Sequence, residues 1–180
     1  MRRALTDFFT ACGYHTVWEV PASTVLAAAR DVPALLDHAE QLRTHSAYEE
    51  LCIRCAREFV VDYAAESDTD SDALEAVTRR VVAQVMEKFG LRAGQPHAGL
   101  AFVCEHQAAT VLERVERPYL AAVGIRTLRI YEPDDPFDIC EPMHAWCTQW
   151  EDEPDNRTGI EAAITTALSE FLTRHGIRHS

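Results

Sequence analysis

Lysine is nearly missing from this 180-residue chain. Lys88 stands alone against sixteen arginines, a ratio that reads as coding bias rather than chemistry. Clustered basic residues are missing too. Arg79, Arg80, Arg114 and Arg117 are scattered among acids, whereas binding a phosphate backbone takes Lys and Arg gathered on one face. With 29 acidic residues against 17 basic ones and a formal charge of −12, no nucleic-acid partner is expected. An acidic surface suits a soluble protein, or one that binds a basic protein partner.

Long apolar runs are absent as well. None reaches the roughly 20 residues that span a bilayer, so no membrane association is expected. "MRRALTDFFTACG" begins with Met and two arginines but carries Asp7 and lacks the apolar run of a secretory leader. The expected location is cytoplasmic, where six cysteines serve as thiols, ligands or nucleophiles rather than disulfides. Glycine (7) and proline (8) are few, and there is no repeat or low-complexity tract. The length, with nearly half the residues apolar, suffices for one domain with a real core, or a domain plus a helical extension.

Hydrophobic spacing supplies the architecture. Leu5, Phe8, Phe9 and Cys12 recur at i, i+3, i+4, i+7 before Gly13, which predicts a short first helix. "YHTVWEV" (14–20) is rich in β-formers and predicts a strand ending at Pro21. Residues 22–46 read as two short helices divided at Pro33. The stripe Tyr48, Leu51, Cys52, Cys55, Ala56, Phe59, Val60, Tyr63 predicts a helix over 47–64. Asp72 and Glu75 form a capping-box pattern for a helix that turns Leu74, Val77, Val81, Val85 and Phe89 inward and stops at Gly90.

Beyond the linker-like "RAGQPHAG" (92–99), "LAFVC" (100–104) reads as a buried strand and 106–123 as a helix kinked at Pro118. "RTLRIYE" (126–132) reads as a second strand. A last helix runs from the capping box Thr158/Glu161 to Gly176. The predicted class is helix-rich α/β: a small sheet containing a parallel βαβ unit, behind an N-terminal helical region. The expected division is 1–91, helical with one N-terminal strand, and 92–180, the βαβ unit plus the C-terminal helix, if the two are not one continuous domain.

Cys104 and His106 are the candidate catalytic residues. In the predicted fold Cys104 ends the first strand and opens the crossover helix, where parallel sheets bind ligands and a helix dipole acidifies a thiol. "FVCEHQAAT" (102–110) resembles the phosphate loop of low-molecular-weight phosphatases and the related arsenate reductases. Their strand likewise ends in Phe-Val-Cys, and their loop runs C-x5-R. Here Thr110 stands in the arginine's place and the loop glycine is absent. Nothing in the loop then pairs bidentately with an oxyanion, so the resemblance implies no such activity. Asp134 and Asp135, past the second strand, either face the same crevice or form an ordinary acidic turn.

"DICEPMHAWC" (138–147) carries the candidate metal ligands. Cys140, His144 and Cys147 lie at i, i+4 and i+7 of a helix opening near Pro142, three of the four ligands of a closed zinc site. Cys104, His106 or the C-x-x-C at 52–55 would have to supply the fourth. The same spacing also describes core packing, so no cofactor is expected, zinc being the one that the residues allow. "CIRC" (52–55) sits within an apolar stripe and reads as packing, with His45 its nearest additional ligand. "SDTDSD" (67–72) lacks the glycine and closing glutamate of a calcium loop. His175 and His179 complement the dipole of the last helix.

Trp146 and Trp150, at i, i+4, either anchor a protein partner or fill the core. Three functions remain in view: a non-catalytic protein-binding accessory factor, a zinc-stabilised regulatory module, and a thiol enzyme built on Cys104 and His106.

Overall fold

The computed structural model describes residues 2–18, 20–37, 46–67, 70–92 and 95–175, and every regular element among them is helical. In chain order these are α1 (Arg2–Trp18), α2 (Ala22–Arg30), α3 (Val32–Leu36), α4 (Ala47–Cys55), α5 (Val61–Ala64), α6 (Ser71–Lys88), α7 (Ala98–Leu112), α8 (Pro118–Leu128), α9 (Cys140–Asp152) and α10 (Arg157–His175). A π-helical turn at Ala56–Val60 joins α4 to α5, and a 3-10 turn at Pro154–Asn156 precedes α10. The predicted α/β class, with its sheet and βαβ unit, is therefore overturned. His45, Gly176 and His179 lie outside the described residues, as do Asp68 and Thr69 of the "SDTDSD" stretch.

Each predicted strand fails for a physical reason. The strand at 14–20 is instead the last part of α1, which runs through buried Gly13 as far as Trp18. Strand propensity is a weak preference that packing overrides, and local bonds hold this helical end. Thr16 Oγ1 donates to the Cys12 carbonyl at 3.0 Å, and His15 Nδ1 lies 2.6 Å from the Val20 carbonyl. The strand at 100–104 is the start of α7, buried from Ala98 to Val111 at every position but Ala101. A helix buried on all sides shows no amphipathic period, so a short apolar run within it cannot be told from a strand.

The second strand, at 126–132, is the end of α8 followed by turns. Leu128 is buried, whereas Ile130 is 77% exposed, so its side chain has no sheet to face. Pro118 starts this helix rather than kinking a longer one. Arg117 before it is extended (φ −78°, ψ 138°), as a residue preceding proline prefers.

The chain divides into two compact units, the first running to Phe102 and the second from Val103, so the division falls inside α7. In the first unit α1, α2 and α6 pack together around Phe8, Phe9, Leu26, Val85 and Met86. Phe89, just past the end of α6, is the hub of an edge-on aromatic cluster, with ring centroids 5.4 Å from Phe9, 5.6 Å from Tyr48 and 5.2 Å from Phe102. Gly90 follows with φ 77°, the left-handed conformation that ends a helix without steric cost. The cap at the other end of α6 is Asp70 rather than Asp72. Its Oδ1 accepts from the N–H groups of Asp72 (3.1 Å) and Ala73 (3.2 Å). In the second unit α8 lies along α9 and α10 packs on both, burying Ile125, Met143, Ile164, Leu168 and Phe171.

Candidate functional site

Cys104 sits in the second turn of α7, fully buried, rather than at a strand end. Burial pushes its thiol well above the ordinary value, and the neighbouring Cys140 and Asp135 raise it further. That is the opposite of the acidified nucleophile expected from a helix N-terminus. His106, two residues on, is also buried. Positions i and i+2 of a helix point away from each other, so the two candidates do not form a thiol–imidazole pair.

What does meet Cys104 is the start of α9. Asp135, in the left-handed region at φ 39°, accepts from the Ile139 N–H on Oδ1 and the Glu141 N–H on Oδ2, both at 3.0 Å. The Cys140 thiol also donates to it. Burial would raise the Asp135 carboxyl, but the donors from Glu141, Cys140 and Ile139 outweigh it and hold the pKa below the usual carboxylate range. "EPDDP" is thus a turn whose second aspartate caps a helix. Burial and the adjacent Asp135 push Cys140 up to about 12.

Of the three predicted metal ligands, Cys140 and Cys147 are fully buried while His144 is exposed. Cys147 is raised by burial, partly offset by Arg126. Among the described residues no three His, Cys, Asp or Glu side chains are gathered where one metal ion could take them. Cys52 and Cys55 are buried in α4, and none of the six cysteines is in a disulfide. Burial and Glu58 push Cys55 up to about 12 against the opposing charge of Lys88. The sequence offered no sign of its neighbour, Cys12 of α1, whose thiol is raised by its own burial and by Cys55.

The tryptophans lie on the outer part of α9, both half-buried. Tyr119 of α8 stacks on Trp150 with centroids 3.8 Å apart and planes 17° from parallel. The Arg157 guanidinium carbon lies 3.9 Å from the Trp150 centroid. Two groups that close to one ring cannot share a face, so the indole is sandwiched between them. Arg157 Nε also donates to the Trp150 carbonyl at 3.2 Å, and Trp150 Nε1 is buried with no hydrogen-bond partner among the described residues. Glu151 Oε1 accepts from the Tyr119 hydroxyl (3.1 Å) and from Arg126 Nη1 (3.2 Å), and Arg117 pairs with Glu161 at 3.0 Å.

Just past the sandwich, Glu151, Asp152, Glu153 and Asp155 are all exposed. Tyr119 and Arg157 escaped the sequence reading because their partner is far away along the chain or across a helix break. Among the described residues, no helix is long and apolar enough to cross a membrane. No protein-family model matches the chain, and neither a curated protein nor a solved structure shows significant similarity to it.

Proposed function

We propose that the protein is a non-catalytic accessory factor of the cytosol that binds a basic protein partner through the outer end of α9. One observation carries this: Asp152, Glu153 and Asp155 are exposed beside the Trp150 stack, and among the described residues no basic side chain pairs with them. Unpaired like charges at one place attract and orient a cationic partner during encounter. A tryptophan held in one orientation adds contact area at small entropic cost, as interface anchors do. Trp146, one turn earlier on α9, extends the same surface. Six cysteines outside any disulfide fit a reducing compartment.

The test compares two variants with the same change in charge. Asp152→Asn/Glu153→Gln/Asp155→Asn removes the face, and Asp62→Asn/Glu66→Gln/Glu87→Gln removes exposed acids elsewhere. An arginine-rich nonapeptide titrated at low salt should bind the first variant roughly tenfold more weakly than the wild type, and lose affinity to the wild type as salt rises. The second variant should stay close to the wild type. Equal losses in both variants, or no binding to the wild type, would refute the proposal.

A further inference from the structure

We infer that Arg157 occupies, in cis, the seat that an arginine side chain of the partner takes on Trp150. This rests on the recognition function proposed above and names the chemistry of its central contact. The two covers of the indole are held differently. Tyr119 is fixed by its hydroxyl bond to Glu151, which is itself tied to Arg126. Arg157 is exposed, and among the described residues its side chain makes one hydrogen bond, from Nε to the Trp150 carbonyl.

Although Glu151, Asp152, Glu153 and Asp155 are close in sequence, Arg157 forms an ion pair with none of them. Its guanidinium lies on the indole and leaves Asp152, Glu153 and Asp155 without a basic partner among the described residues, while Glu151 is paired with Arg126. The site therefore already displays the pose it would offer a guanidinium from another chain: a flat aromatic face and a backbone carbonyl acceptor, followed in the chain by exposed acids at 152, 153 and 155. An exposed cation–π contact is weak, so an incoming arginine that also meets the acids can displace the resident one. Lysine fits less well, since a compact ammonium neither stacks flat nor reaches the carbonyl with a directed N–H while covering the ring.

A resident competitor lowers apparent affinity by the fraction of time that it fills the seat. Removing it should strengthen binding of the arginine nonapeptide by about two- to fivefold. Arg157→Gln also removes one positive charge, so it is compared with Arg174→Gln, which removes an exposed arginine elsewhere on α10. The expected result is tighter binding by Arg157→Gln than by Arg174→Gln, an intermediate value for Arg157→Lys, and no such difference with a lysine nonapeptide.

In protein labelled with 5-fluorotryptophan, the resonance assigned to Trp150 by Trp150→Phe should shift when the arginine peptide is added. Equal affinities of Arg157→Gln and Arg174→Gln for the arginine peptide, or an unmoved Trp150 resonance, would overturn the exchange while leaving recognition by the acidic face intact. Absence of binding in every variant and in the wild type would remove both.

Discussion

Gly99 of α7 lies so close to Val17 of α1 that a β-carbon on Gly99 would come within 2.5 Å of Val17 Cγ2 and 3.1 Å of Thr16 Cβ. Valine cannot swing aside easily, because branching at Cβ restricts it to few rotamers. Gly99→Ala should therefore destabilise the protein by about 1–3 kcal/mol, the usual cost of overpacking. Val17→Ala in the same chain should recover part of that loss, because it vacates the position that the new methyl needs. Urea denaturation of the single and double variants measures this. Additive losses would show that the clash is not at Val17.

Asp135 joins a left-handed turn to the first N–H groups of α9, and its carboxyl titrates below the usual range. A carboxyl whose folded pKa is depressed stabilises the fold above its unfolded pKa, and that contribution disappears as pH falls through the folded value. Asp135→Ala should cost about 1–2 kcal/mol near neutrality, as lost caps do. The gap from the wild type should narrow as pH drops below about 4, where the unfolded aspartate begins to take up its proton. A gap that stays constant down to strongly acidic pH would mean that the cost comes from backbone strain alone.

Legibility in the sequence followed amphipathicity. The helices over 72–89 and 158–175 were visible because each buries one stripe and exposes the rest, and they survive with small shifts at their ends, whereas the one over 47–64 is interrupted by the π-helical turn at Ala56–Val60. α7 was misread because its burial on all sides erased the period that marks a helix, and that error took the sheet and the thiol-enzyme geometry with it. The sandwich at Trp150 was half legible. The i, i+4 tryptophans mark a face of α9, but Tyr119 reaches it only because Pro118 opens a separate helix, which local spacing did not reveal.

Two phenylalanines separate what the stripe pattern captured from what it missed. Phe171 is buried on α10, edge-on to Phe137 at 5.9 Å, and its replacement by alanine should cost about 3–5 kcal/mol. Phe59 lies on the π-helical turn, whose wider winding moves it off the buried stripe. It is half-buried, with the Lys88 ammonium 5.4 Å from its centroid. Phe59→Ala should cost roughly 1 kcal/mol, because much less area leaves water. Equal losses for the two, read from denaturation midpoints at fixed m-value, would contradict this placement of Phe59.

Burial raises the thiols of Cys12, Cys55, Cys104, Cys140 and Cys147. A group whose folded pKa is raised is stabilising below its unfolded pKa and loses that stabilisation as pH climbs above it. Stability should therefore decline above about pH 8.5, where unfolded cysteine ionises, and native protein should resist alkylation until it unfolds. Thiolate absorbance near 240 nm checks the same point. Its appearance in the folded protein below about pH 8 would show an activated cysteine.

The excess of 29 acidic over 17 basic residues sets the response to salt. Ion pairs such as Arg79–Glu75 and Arg129–Glu141 are at the surface and would be weakened by added salt, but exposed pairs of this kind contribute little. Repulsion among the surplus carboxylates acts over many pairs at once and opposes the compact state, and screening relieves it. The second effect should win. Raising sodium chloride from about 0.05 M to about 0.5 M should increase the melting temperature by a few degrees, equivalent to roughly 1 kcal/mol. Near pH 4, where many carboxylates carry protons, the gain should shrink or vanish. A melting temperature that falls with salt at neutral pH would show that the surface ion pairs, not the net charge, govern stability.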